Sequence, residues 1–408
     1  MYIITLLIFI SLSILSYKYN RSLVEPSFIT STLWTLIIFI YNFIPHGLYP
    51  VSDKFYYAIM LWVIPFCTSC LFFSKKKFKV SKYLTNSNPT IKFSALTLFF
   101  LIGLYLILIF ELIKLSREYG DNGILYGVRS AFLDKEQKLP SSINMLMYFA
   151  TIGITITIAN LYTTYSKCFL YKLLIVFQFF FLVCLGNKGG IANFGFALLF
   201  LGYYYRQLSL KKVIGFILVL VCLMVVITLF RQGDNSDNSF TILDFILIYL
   251  LSPLPAFDMI LNSQIHIVYG TPGSATFEAI TKLSTTLGID LGVTPHYADS
   301  WWVGVPVATN VFTHMANFYL DFGYWGIFIF ALFFGSSWGI LYNLMKRRIQ
   351  LFAIIYAIFF YTLFLTFFAD YVFTFLSLSI QYIVISYLLF VKFKIRRHVS
   401  NNHFISKL

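Results

Sequence analysis

Two asparagines, a histidine and an aspartate fall within the segment VATNVFTHMANFYLDFGYWGIF, residues 307–328, which is otherwise largely apolar. At about 100° per residue, Asn310, His314, Asn317 and Asp321 share one narrow arc of a helix, while Phe312, Met315, Phe318 and Tyr319 take the other faces. An imidazole or a carboxylate can take a proton from a hydroxyl, and amides can hold hydroxyls by donating or accepting. The arc therefore predicts either a polar cavity wall or a seam of interhelical hydrogen bonds. Gly323, two residues after Asp321, is placed to let the chain turn into the next apolar run.

Cations form a second set. Lys188 in LGNKGG stands between two apolar runs, with glycines that let bare backbone approach an anion. Arg231 in FRQGDN ends another run, and Arg129 lies in an earlier polar loop. Together they could hold a diphosphate, the guanidinium as a fork and the ammonium as a point charge. Each could equally be a solvated end residue. His296, Asp299, Trp301 and Trp302 in TPHYADSWWVG combine titratable groups with aromatic surface, suited to stacking on sugar rings or to an interfacial belt. Glu111, Asp244, Asp258 and Asp370 sit near helix ends, where solvation or pairing is expected, and Glu278 has no assigned role.

Phosphate-loop, dinucleotide, HExxH and Asp-x-Asp patterns are absent, so neither a soluble activated donor nor a metal is expected. The CTSC at 67–70 has no second pair and lies inside an apolar run. Small residues there predict close helix packing rather than redox or metal chemistry.

The elements that must position these residues follow from composition. Of 408 residues, 59% are hydrophobic and only 11% charged, which excludes an ordinary soluble domain. The expected fold is an all-α polytopic membrane protein, one integral domain over residues 1–408. Runs near 2–17, 28–44, 55–73, 93–113, 143–165, 169–186, 190–205, 213–230, 324–345, 350–369 and 371–391 predict about eleven transmembrane helices. The first run lacks a basic start and a small-residue cleavage site, so it reads as a retained helix. The basic clusters KKKFKVSK (75–82), KRR (346–348) and KFKIRR (392–397) place the N-terminus outside and the C-terminus in the cytoplasm. Under that topology Glu25 is the one acidic residue inside. The net charge of +14 thus reports orientation in a bilayer and implies no nucleic-acid partner. Outside loops are expected at 114–142 and 231–323. The second should carry short re-entrant or interfacial helices, because Pro253 and Pro255 interrupt its apolar stretch.

The TN-VFT element, the DFG with a further glycine and the apolar span closing on KRR resemble the C-terminal half of Wzy-type O-antigen or capsule repeat-unit polymerases. GNKGG at 186–190 resembles that family's mid-chain basic motif, with Lys188 where Arg is usual. The resemblance implies a glycosyltransferase with a fold like that of the GT-C class. It would lie in the bacterial inner membrane with its active site facing the periplasm. It would transfer a growing glycan from undecaprenyl diphosphate to a newly flipped lipid-linked repeat unit, without cofactor. A polysaccharide chain-length regulator is the implied protein partner. Under it, Lys188 and Arg231 with Arg129 hold the diphosphate, Asp321 or His314 handles the acceptor proton, and Asn310, Asn317, His296, Trp301 and Trp302 contact substrate. A lipid-linked oligosaccharide flippase and an O-antigen ligase are the alternatives.

Overall fold

A computed structural model describes residues 1–79, 95–118, 124–133, 147, 150, 153–159, 168–186, 188–205, 208–232, 242–265, 271–289, 300–305 and 307–388. His296 and Asp299 lie outside the described residues, as does most of the expected 143–165 span. The described chain is mostly helical, and five helices are long and apolar enough to cross a membrane. They are α1 (Tyr2–Asn20), α2 (Pro26–Phe43), α3 (Asp53–Lys75), α4 (Ala95–Glu118) and α12 (Met315–Lys346). Between and after them come α5 (Ile124–Leu133), α6 (Phe169–Cys184), α7 (Lys188–Tyr204), α8 (Leu210–Gln232), α9 (Ile242–Leu251), α10 (Pro253–Leu261), α11 (Glu278–Thr286) and α13 (Gln350–Phe364). A last apolar helix, α14, covers Leu376–Leu388. The one sheet among the described residues is a two-residue pairing of β1 (Trp301–Trp302) with β2 (Ala308–Thr309).

The chain forms two compact units. The first comprises residues 1–79, 239–347 and 362–380; the second comprises 80–238, 348–361 and 381–408. In the second unit, Gln178 donates to Tyr105 Oη (3.1 Å) and Thr157 Oγ1 (2.8 Å), so a buried amide ties α6 to α4 and to the 153–159 segment. Phe200 of α7 packs on Tyr356 and Phe360 of α13.

The first unit is built on α3. Gly335 and Gly339 of α12 lie against Phe66, Ser69 and Cys70 so closely that a methyl group at Gly339 would stand 2.5 Å from the Cys70 carbonyl oxygen. Small residues thus let the two backbones meet, as in other membrane helix pairs. Cys67 and Cys70 are buried free thiols that point instead toward α2, Cys67 to the Ser27 carbonyl and Cys70 to the Glu25 carboxylate. The two ends of the unit differ. At one end Ser52 donates its N–H and hydroxyl to Asp258 of α10 (3.0 and 2.5 Å), and Leu48 bridges Gly304. At the other, Asn343 donates to the carbonyls of Phe73 (3.0 Å) and Lys76 (2.8 Å), Asn20 donates to Ser74, and Lys75 covers Tyr19. The two sets of contacts thus lie at opposite ends of α3. Glu25, fully buried, caps α2 by accepting from Phe28 N (2.7 Å) and Ser27 Oγ (2.5 Å), and burial pushes its carboxyl above the usual range.

Neither α9 nor α10 is long enough to cross alone. Helix α11 turns its apolar residues outward: Ile280 and Leu283 are 48% and 60% exposed, whereas Thr281 and Ser284 are buried with their hydroxyls on helix carbonyls. That inversion suits a helix facing acyl chains.

Candidate functional site

The polar residues 310–321 do not lie on one helix. Asn310 belongs to the irregular segment after β2, and α12 begins at Met315 with His314 as its N-cap. Periodicity fails here because 301–309 are drawn into the small β-pairing, and that pairing delays helix initiation. Gly323 breaks α12 with φ +61° and ψ −150°, a region essentially reserved for glycine.

Contacts along α3 show how far the chain turns. Beyond the break, Tyr324 lies on Tyr57, Gly335 on Phe66 and Gly339 on Cys70, so this arm runs in the same direction as α3. Before it, His314 packs on Trp62, with ring centroids 3.9 Å apart. The 315–322 arm thus runs back against α3, and Phe318 stacks on Phe330 at 4.4 Å with planes 7° apart. From Asp53 to Trp62 the rise is about 14 Å. The short arm therefore folds back beside α3, its N-terminus about that far along the helix from Asp53.

A second break faces it. Between α13 and α14 the chain is non-helical over 365–375, and the Thr366 carbonyl accepts from His314 N (3.2 Å) and from His314 Nδ1–H. Asp370, buried, holds this segment in shape: its carboxylate oxygens accept from the N–H groups of Val372, Phe373 and Thr374 at 2.9 to 3.2 Å. A cavity of about 240 Å³ opens between the start of the short arm and this non-helical segment, lined by Glu278, Asn310, Thr313, Asn317, Asp370, Tyr371 and Thr374 together with Phe312, Phe368 and Phe375. Asn317 spans it, donating to Thr374 Oγ1 (3.3 Å). A smaller void of about 20 Å³ shares Ala369, Asp370 and Tyr371 with it and is lined by His314 and Trp62.

Of the residues singled out in the sequence, the structure brings Asn310 and Asn317 to the larger cavity and His314 to the smaller void. Because His314 Nδ1 carries the proton given to Thr366, Nε2 is its acceptor atom, and Nε2 has no partner within the protein. Asp321 is committed elsewhere: its carboxylate accepts from Ala275 N (3.2 Å) and Thr276 N (2.6 Å), fixing the turn that leads into α11. Trp301 and Trp302 lie in β1, with Trp302 exposed. Lys188 opens α7 in the second unit, half-buried, after a turn made by Gly186 at φ +62°. Arg129 lies in α5 and Arg231 in the last turn of α8, also in the second unit.

Sequence reasoning missed Thr313, Tyr371 and Thr374, and took Asp370 only as a helix-end carboxylate to be solvated or paired. The legible signal was FADYVFT, an aspartate and a threonine between two apolar runs, where an aspartate can hold a turn by accepting from the N–H groups that follow it. No known family, curated protein or solved structure matches the chain.

Proposed function

We propose that this protein is a polytopic membrane glycosyltransferase that polymerises lipid-linked oligosaccharide repeat units, of the O-antigen or capsule type. The reading rests on one observation: a polar cavity walled by two broken helices inside an apolar bundle. Such a chamber suits a reaction in which both substrates are membrane-tethered. The acceptor hydroxyl oxygen attacks the anomeric carbon of the donor glycan, and the bond from that carbon to the phosphate oxygen breaks. The undecaprenyl diphosphate leaves with the electron pair, and the hydroxyl proton passes to a protein base. The uncommitted Nε2 of His314 favours it over Asp321 for that role. Lys188, Arg231 and Arg129, all in the second unit, are on this reading the cations that hold a diphosphate. The protein then resides in the bacterial inner membrane, with its N-terminus and cavity on the periplasmic side, its C-terminus cytoplasmic, and a chain-length regulator as partner.

The broken helices also favour a second reading, a flippase or transporter of lipid-linked oligosaccharide, since discontinuous helices commonly form transporter sites. The surface glycan of a deletion strain separates the readings. Loss of a polymerase leaves a single repeat on the surface, loss of a ligase leaves none attached, and loss of a flippase stops export. Restoring the strain with Lys188→Ala, Arg231→Ala or His314→Ala at normal protein level should give short or absent polymer. Full-length polymer from all three would remove these assignments.

A further inference from the structure

We infer that the 240 Å³ cavity is a subsite for one neutral sugar ring, distinct from whatever holds the diphosphate. This rests on the proposed function and adds a ligand class to its site. Three observations carry it. First, the described lining contains amides, hydroxyls, carboxylates and aromatic rings but neither Lys nor Arg, so it offers hydrogen bonds without the cations that a diphosphate needs. Second, Thr313 is 2% exposed and lines the cavity, yet its hydroxyl has no partner within the protein. A buried hydroxyl is costly to leave unpaired, and a ring hydroxyl in the cavity would satisfy it after rotation about the Thr313 Cα–Cβ bond, since Oγ1 is closed off in the rotamer present. Third, the Asp370 carboxylate is already occupied by backbone N–H groups, so it contributes shape rather than a cation site.

The chemistry then divides by residue. Thr313 Oγ1 and the Asn317 amide meet ring hydroxyls, Asn310 stands at the exposed lip, and Tyr371 offers an aromatic face to sugar C–H groups. The volume lies just under the roughly 300–1,000 Å³ of drug-sized pockets, room for about one ring, with the rest of a chain left outside the open mouth. The non-reducing-end sugar of the acceptor is the group that must enter alone.

The test uses the full chain in lipid nanodiscs, observed by saturation-transfer NMR. The probes are the methyl glycosides of glucose, galactose, mannose and N-acetylglucosamine, with inorganic diphosphate as competitor. At least one glycoside should bind. Thr313→Val should weaken it by about 5- to 10-fold, the worth of one neutral hydrogen bond, and Thr313→Ser should restore it. Diphosphate should not displace it. The inference is overturned if no glycoside binds, if diphosphate displaces the glycoside, or if Thr313→Val binds as the parent does. Should Thr313→Val misfold, Asn310→Ala on the exposed lip decides: unchanged affinity there overturns the assignment. A chain that binds glycoside but never extends lipid-linked repeats keeps this subsite and loses the proposed function. One that extends repeats without binding glycosides keeps the function and loses the subsite.

Discussion

Gly326 is the position at which the chain reversal at Gly323 can be broken most cleanly. A methyl group there would stand 2.8 Å from Phe322 Cβ and nearer still to the Phe318 carbonyl oxygen. Carbon atoms do not normally approach so close, and the carbonyl belongs to backbone that cannot rotate away. Gly326→Ala must therefore push the 315–322 arm off the spanning arm. Overpacking of this kind costs about 1–3 kcal/mol. The Phe318–Phe330 stack at 4.4 Å would be loosened too, adding about 0.5–1.5 kcal/mol. A total of roughly 2–4 kcal/mol follows, large against ordinary protein stability. Gly323→Ala tests the same turn by another route. Nothing lies within 4 Å of an added methyl there, so its cost is purely the backbone strain at φ +61°, about 1–3 kcal/mol. Gly215→Ala is the control, in helix α8 with open space around it, where alanine should be neutral or stabilising by up to about 1 kcal/mol. Thermal unfolding of the three variants in nanodiscs, followed by intrinsic fluorescence, gives the order. Gly326→Ala should melt lowest, Gly323→Ala next, and Gly215→Ala at or above the parent. If Gly326→Ala melts with the parent, the reversal of the chain at Gly323 is wrong.

Two further outcomes are expected. Asp321→Ala strands the N–H groups of Ala275 and Thr276 and should lower stability by about 1–3 kcal/mol, whereas Asp321→Asn retains an acceptor and should lose less in melting and keep most polymer length; abolished polymer with unchanged melting would mark Asp321 as the base instead. Glu25 carries a buried carboxyl whose folded pKa is raised, so its contribution is fully present below the unfolded carboxylate value and is lost as pH rises through the raised one. The parent protein should then be more stable near pH 5 than near pH 8, a slope that Glu25→Gln should flatten, and equal slopes in the two proteins would contradict the burial argument.

The sequence by itself determined that this chain is a bundle of apolar helices, because run length and scarcity of charge leave few other ways to satisfy its backbone. It also determined the break at Gly323, since only glycine accepts that backbone conformation, and the close approach of small residues around Cys67 and Cys70. Tertiary structure decided the site. Local periodicity put Asn310 and Asp321 on one helical arc, but a strand pairing with Trp301–Trp302 held Asn310 out of the helix, and backbone donors at 275 and 276 claimed Asp321. Thr313 and Asn317 share a cavity with Asp370 and Thr374 only because two segments some 55 residues apart lie side by side and bond through His314 to Thr366 and Asn317 to Thr374. A hydrophobic pattern records which face of each helix is apolar; it carries no term for which two interruptions will face each other.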